Sequence, residues 1–113
     1  DAEIYMGCAV VFSDSVPAEL SVVVPQAAND LLTINGVEAS FVAVDNGAQV
    51  SVSARSMGDV NVQVIMEKLG GGGHLTMAGA QLRNVSLEEA KRRLLDAISE
   101  YRESQRTEKQ KNS

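Results

Sequence analysis

The sequence predicts a single α/β (α+β) domain, with a mixed β-sheet of about four to five strands flanked by about three to four helices. Three observations carry that expectation. Short β-rich runs and helical patterns alternate along all 113 residues. Asn46-Gly47 joins two alternating segments, the strongest short-range sign of an antiparallel hairpin. An amphipathic helix with its own start signal closes the chain from Ser86 onward.

In chain order, Ile4–Phe12 (IYMGCAVVF) is apolar and rich in β-formers, and Ser13-Asp14-Ser15 bounds it as a turn, so it reads as one buried strand. Val16–Ile34 supports two readings, since Ser21–Val24 looks strand-like while Gln26–Leu32 looks helical. Pro25 suits a first helical turn, where its missing N–H is not needed. The expectation is a helix from Pro25 to Ile34, stopped by Asn35-Gly36. Glu38–Val44 and Gln49–Ala54 then form the hairpin, with Val50 and Val52 facing one way and Ser51 and Ser53 the other. Val62, Ile65, Met66 and Leu69 make an apolar stripe on a helix from Asn61 to Leu69. Leu75–Gly79 reads as one helical turn and Ala80–Arg83 as a short strand. Ser86 and Glu89 form an S-x-x-E capping box, and Leu87, Ala90, Leu94, Ile98 and Tyr101 continue one face behind it. Residues 1–106 are read as the domain and the polar 107–113 as a disordered tail.

Composition narrows the class. Hydrophobic residues make up 44% and charged residues 22%, ordinary for a soluble globular protein. No stretch approaches the roughly 18 apolar residues that span a bilayer, and no secretory signal pattern opens the chain. The chain starts on Asp1 and enters an apolar segment almost at once, which reads as a piece of a longer protein. Cys8 is the only cysteine, which excludes an internal disulfide or a cysteine zinc site and fits a reducing cytoplasm.

The net charge of −5 is unevenly spread. Residues 1–82 hold nine acids and only two bases, Arg55 and Lys68, while 83–113 hold six acids and eight bases. The body therefore lacks a general basic surface for gripping a phosphate backbone, and an anion would need a few placed groups. Arg55 is the obvious cation, with Lys68 just before the most unusual segment of the chain. Lys91, Arg92 and Arg93 read as the solvent face of the last helix.

That segment is Gly70-Gly71-Gly72-Gly73-His74, which contains the only histidine. Four glycines give up all side-chain contacts and carry a high entropy cost, accepted where backbone takes positive φ or approaches something closely. A helix C-cap accounts for one or two of them. The rest leave a ligand-contacting backbone and a flexible turn both open. The run is neither a phosphate loop nor a dinucleotide fingerprint. His74, tethered to it, could donate to a phosphate oxygen. Arg55, at the end of the second hairpin strand, is either a solvated strand terminus or a bidentate phosphate contact. Arg55 and His74 meet only if the sheet folds back. Asn61 is read as the helix cap, with Ser56 a nearby hydroxyl. No nucleophile–base pair, carboxylate pair or metal cluster is legible, so the fragment reads as able to bind and unable to catalyse.

The segment SARSMGDVNV, the helix behind it, and GGGGH followed by Ala78-Gly79 resemble the DHH-associated C-terminal domain of the DHH phosphoesterase superfamily. NVQVIMEKLGGGGHLTMAGAQL is most similar to the subgroup of bacterial membrane-anchored cyclic di-AMP phosphodiesterases, which join a degenerate GGDEF domain to a DHH module. Met77-Ala78-Gly79 departs from that family's usual alanine pair or Asn-Ala pair. The resemblance implies a lobe that closes over a separate DHH lobe holding manganese, with hydrolysis of cyclic di-AMP to linear pApA. It implies that Arg55 and Gly71, Gly72, Gly73 and His74 contact substrate, that Ser56 and Asn61 shape the site, and that this lobe holds no metal. It also implies a cytoplasmic domain of a membrane-anchored bacterial protein. The alternatives are the matching lobe of an oligoribonuclease or single-stranded-DNA exonuclease, and a non-catalytic nucleotide-binding module that could form a homodimer through its exposed final helix.

Overall fold

The computed structural model describes residues 3–14 and 23–111. Six strands form one mixed sheet in the order β1-β2-β3-β4-β6-β5. They are β1 (Glu3–Tyr5), β2 (Cys8–Ser13), β3 (Ala39–Asp45), β4 (Gln49–Ser56), β5 (Gly72–Gly73) and β6 (Met77–Arg83). Among the described residues three helices accompany them, α1 (Val23–Leu31), α2 (Val62–Glu67) and α3 (Leu87–Lys111). The mixed α+β class is as expected, with one strand more than the sequence suggested. Among the described residues only β2 and β3 run parallel, joined by the crossover that contains α1.

Alternation in the strands assigns the two faces. Phe41, Val50, Val52, Ala54, Ala80 and Leu82 turn toward Ile65 and Met66 of α2 and Leu94 and Ile98 of α3, forming the main core. On the opposite face Val42 and Val44 pack against Ala28 of α1, and the buried Ser40 hydroxyl donates to the Ala28 carbonyl. Helices α2 and α3 thus cover one face of the sheet, and on the other face α1 packs over β3 and β4. β6 is left open on that second side, where Met77, Gln81 and Arg83 are exposed.

The hairpin forms where the Asn-Gly signal puts it. Gly47 adopts φ +95°, and the Asn46 side chain accepts from the amides of Ala48 and Gln49. Two other readings need correction. Ile4–Phe12 is two antiparallel strands, because Met6 and Gly7 both take positive φ and make a two-residue turn. Arg102, far along α3, donates from Nε to the Met6 carbonyl at 3.1 Å and pairs with Glu38 at 3.2 Å, bracing that turn. Cys8, beside it, is buried, and burial pushes its thiol above the ordinary range.

The helical turn read at Leu75–Gly79 is strand from Met77 onward, paired to β4 on one side and β5 on the other. Its small residues answer steric closeness rather than helix propensity. A Cβ at Gly79 would lie 3.0 Å from the Val52 carbonyl oxygen.

Helix boundaries shift modestly. α1 starts at Val23 and ends at Leu31, with Pro25 inside its first turn, while Ser15 and the strand-like Ser21-Val22 lie outside the described residues. α3 is helical through Lys111, past the boundary at Thr107 drawn from composition. Ser86 caps α3 by accepting from the Glu89 amide at 3.0 Å. The Glu89 carboxylate turns outward to Arg92 and Arg93, whose hydrogen bonds lower its pKa to about 2.

Candidate substrate-binding site

The site begins where α2 stops. Gly71 N–H donates to the Met66 carbonyl at 2.8 Å and Gly70 N–H to Glu67 at 3.1 Å, while Gly70 takes φ +86°. This Schellman closure accounts for the first two glycines. The chain then pairs with β6, Gly72 opposite Gly79 and Gly73 opposite Ala78.

The glycines are not equivalent. A Cβ on Gly71 would lie 2.1 Å from the Gly79 carbonyl oxygen, and one on Gly73 would lie 2.5 Å from the Ala78 Cα. Gly73 also sits at φ +146°, a region that favours glycine. A Cβ on Gly72 would meet nothing within 4 Å. Gly71 and Gly73 therefore let β5 lie against β6, while Gly72 leaves the floor beside it clear.

That floor is an open trough of about 590 Å³, lined by Ser51, Ser53, Gly70, Gly71, Gly72, Gly79, Gln81 and Arg83 among others. It lies on the part of the sheet that α1 leaves open. Arg83, which sequence reasoning passed over, is exposed at one end. Its alternation with Gly79 and Gln81 could have marked it, but only once β6 was known to be a strand throughout.

The two residues whose convergence was in question do not line this trough and meet further along β4 and β6. Arg55 is the register partner of Met77 across β4 and β6. His74 N–H donates to the Met77 carbonyl at 2.7 Å, so His74 continues the same row across the β5–β6 turn. Directly paired residues share a face. Arg55, Met77 and His74 thus stand side by side on the open face, with the outer two roughly 10 Å apart at ordinary strand spacing. Arg55 Nη1 donates to the Ala54 carbonyl at 2.8 Å. Its Nε is buried and has no acceptor among the described residues.

Ser56 and Asn61 stand behind this row. Ser56 is buried, and its hydroxyl donates to the Val60 carbonyl at 2.6 Å while accepting from Gly58 N–H at 3.2 Å. It brackets the loop that leads from Arg55 into α2. Asn61 caps α2, accepting from the amides of Gln63 and Val64, and its own N–H donates to the Tyr101 hydroxyl at 2.9 Å. Both act from inside the fold, on the loop and helix behind the row. Asn61→Ala is expected to lower stability by about 1 kcal/mol through loss of the cap. Chemical denaturation checks this, and an unmoved midpoint would show the cap to be idle. Lys68 lies 3.8 Å from Glu100 of α3, on the helical side.

Fold and site together define an α+β lobe with one sheet face open, a glycine edge along it, and an arginine and a histidine in one row. The chain belongs to the DHHA1 domain family of the DHH superfamily, whose model matches residues 17–104. It is 52% identical over 96 residues to cyclic-di-AMP phosphodiesterase GdpP of Geobacillus thermodenitrificans, covering 84% of this chain and 15% of that protein. It is 44% identical over 72 residues to the bifunctional oligoribonuclease and PAP phosphatase NrnA of Thermus thermophilus, covering 59% of this chain and 22% of that one. The chain thus spans less than a quarter of the length of these two relatives. An exopolyphosphatase-related protein from Bacteroides fragilis shares the fold, with a TM-score of 0.72 at 21% identity over 89% of this chain and 32% of that one.

Proposed function

We propose that this chain is the substrate-presenting lobe of a phosphodiesterase that hydrolyses cyclic di-AMP to linear pApA, its catalytic centre lying in a DHH lobe of the same protein. The observation that carries the reading is the Arg55–Met77–His74 row. It sets two phosphate-binding side-chain types beside a cleared glycine edge, in a chain about half identical to a cyclic-di-AMP phosphodiesterase. Arg55 offers its guanidinium to a phosphate oxygen, and Gly72–His74 lie along the nucleotide. Ser56 and Asn61 hold the loop that aims Arg55. The chain's part in the reaction is binding and orientation.

Among the described residues no three His, Cys, Asp or Glu side chains converge as a metal-ligand set. In this reading manganese belongs to the DHH lobe. No helix among the described residues is long and apolar enough to cross a membrane. The anchor of a membrane-bound parent with this lobe on its cytoplasmic side would belong to another part of that protein.

The test is Gly72→Val in the full-length protein, assayed by chromatography for conversion of cyclic di-AMP to pApA. A Cβ at this position would meet nothing within 4 Å, so the fold and melting temperature are expected to persist. Turnover is expected to fall on the order of a hundredfold, because the substrate is displaced from the glycine edge. Unchanged turnover would remove Gly72 from the site. A wild-type protein that leaves cyclic di-AMP intact and shortens oligoribonucleotides instead would move the assignment to that substrate class. Manganese-dependent hydrolysis by the isolated chain would overturn the half-site reading.

A further inference from the structure

We infer that Met77 is a specificity-determining residue, forming the apolar surface on which a purine base of the substrate lies between the Arg55 and His74 contacts. The inference rests on the reading of those two residues as phosphate contacts and deepens it.

Register places Met77 between them, one strand spacing from each. Any ligand that touches both ends of the row spans roughly 10 Å and crosses Met77. Its side chain is 52% exposed on the open face of the sheet. Two more exposed apolar residues lie in the neighbouring loops, Leu75 at 46% and Met57 at 66%. The fold joins those loops. Ser56 N–H donates to the Thr76 carbonyl and Val62 N–H to the Leu75 carbonyl, both at 3.0 Å, which ties the loop after Arg55 to the tip of the β5–β6 turn.

Met77 alone is thus an apolar platform between a cation and an imidazole, on strands whose open face is otherwise serine, glycine, glutamine and arginine. A phosphate gains nothing from a thioether, whereas an aromatic ring does, since sulfur is polarizable and packs well against π-systems. A flexible methionine also adapts to a ring without preorganised hydrogen bonds. The row therefore divides a nucleotide by chemistry, with charge at its ends and the flat base in the middle. A purine covers more of the platform than a pyrimidine.

Steady-state kinetics of the full-length protein on cyclic di-AMP and cyclic di-UMP test this. For Met77→Ala we expect KM for cyclic di-AMP to rise about three- to tenfold with kcat retained, the range of a lost sulfur–aromatic contact. The rise for cyclic di-UMP is expected to be smaller, so the purine preference narrows, and Met77→Leu, which keeps the apolar area without the sulfur, is expected to restore it only in part. A KM within twofold of wild type for both substrates would overturn the inference. An equal rise for both would overturn it too, and would assign Met77 to packing against the other lobe. Arg55→Ala run in parallel separates the two layers. If it weakens binding while Met77→Ala does not, only the role of Met77 fails. If neither matters, the reading of the row itself fails.

Discussion

Arg55→Ala in the full-length protein is expected to weaken binding of cyclic di-AMP by about 1.5–3 kcal/mol, the range for a hydrogen bond to a charged group. That corresponds to a loss of affinity of about ten- to 150-fold. The size follows from the guanidinium's setting. One nitrogen is already engaged by the Ala54 carbonyl, and the buried Nε has no acceptor among the described residues. A phosphate oxygen that meets the guanidinium forms a charge-assisted hydrogen bond, the stronger class of such bonds. Arg55→Lys is expected to recover little, because an ammonium cannot present the same planar edge. Isothermal titration with a turnover-blocked substrate measures the effect. Wild-type affinity in the alanine variant would remove Arg55 from the site.

Gly71→Ala is the largest expected loss of stability in the glycine run. The new methyl carbon would lie 2.1 Å from the Gly79 carbonyl oxygen and 2.7 Å from the Ala80 Cα. Both obstacles are backbone of β6, which β4 holds on its other side, so neither can swing away. Relief requires β5 to lift off the sheet. A destabilisation of about 3 kcal/mol is expected, at the top of the range for overpacking. For a domain of this size it corresponds to a drop in melting temperature of roughly 10–15 °C. Gly72→Ala is the control, expected to melt at or slightly above the wild-type temperature because its methyl has room. Thermal melts of the two variants side by side check the pair. Equal melting temperatures would mean that β5 does not lie against β6 as described.

The two variants differ by one position within a run that reads as a single feature. Gly70, Gly71, Gly72 and Gly73 are identical letters, and their separate jobs of helix closure, close packing, open floor and positive-φ turn come from what lies across from each. Ser56 and Arg55 make the same point. They are neighbours with opposite fates, because a strand sends alternate side chains to opposite faces. Ser56 is enclosed by its own loop, and Arg55 reaches the open side.

What the sequence alone determined is the local part of this protein. Asn46-Gly47 specified a hairpin, Asn61 and Ser86 specified helix starts, Gly70 closed a helix, and the apolar stripes chose the buried faces of α2 and α3. Each signal acts through neighbours a few residues away, so it survives without knowledge of the rest. The tertiary structure decided everything that needs a distant partner. Arg102 braces the Met6-Gly7 turn, which divides what composition read as one strand. Strand β6 exists in full only because β4 and β5 hold it from both sides, against a composition that suggests a helical turn. The meeting of Arg55, Met77 and His74 depends on register, and a slip of one residue would send Met77 to the other face. Local chemistry put the parts of the binding surface in the chain, and strand pairing alone brought them into one row.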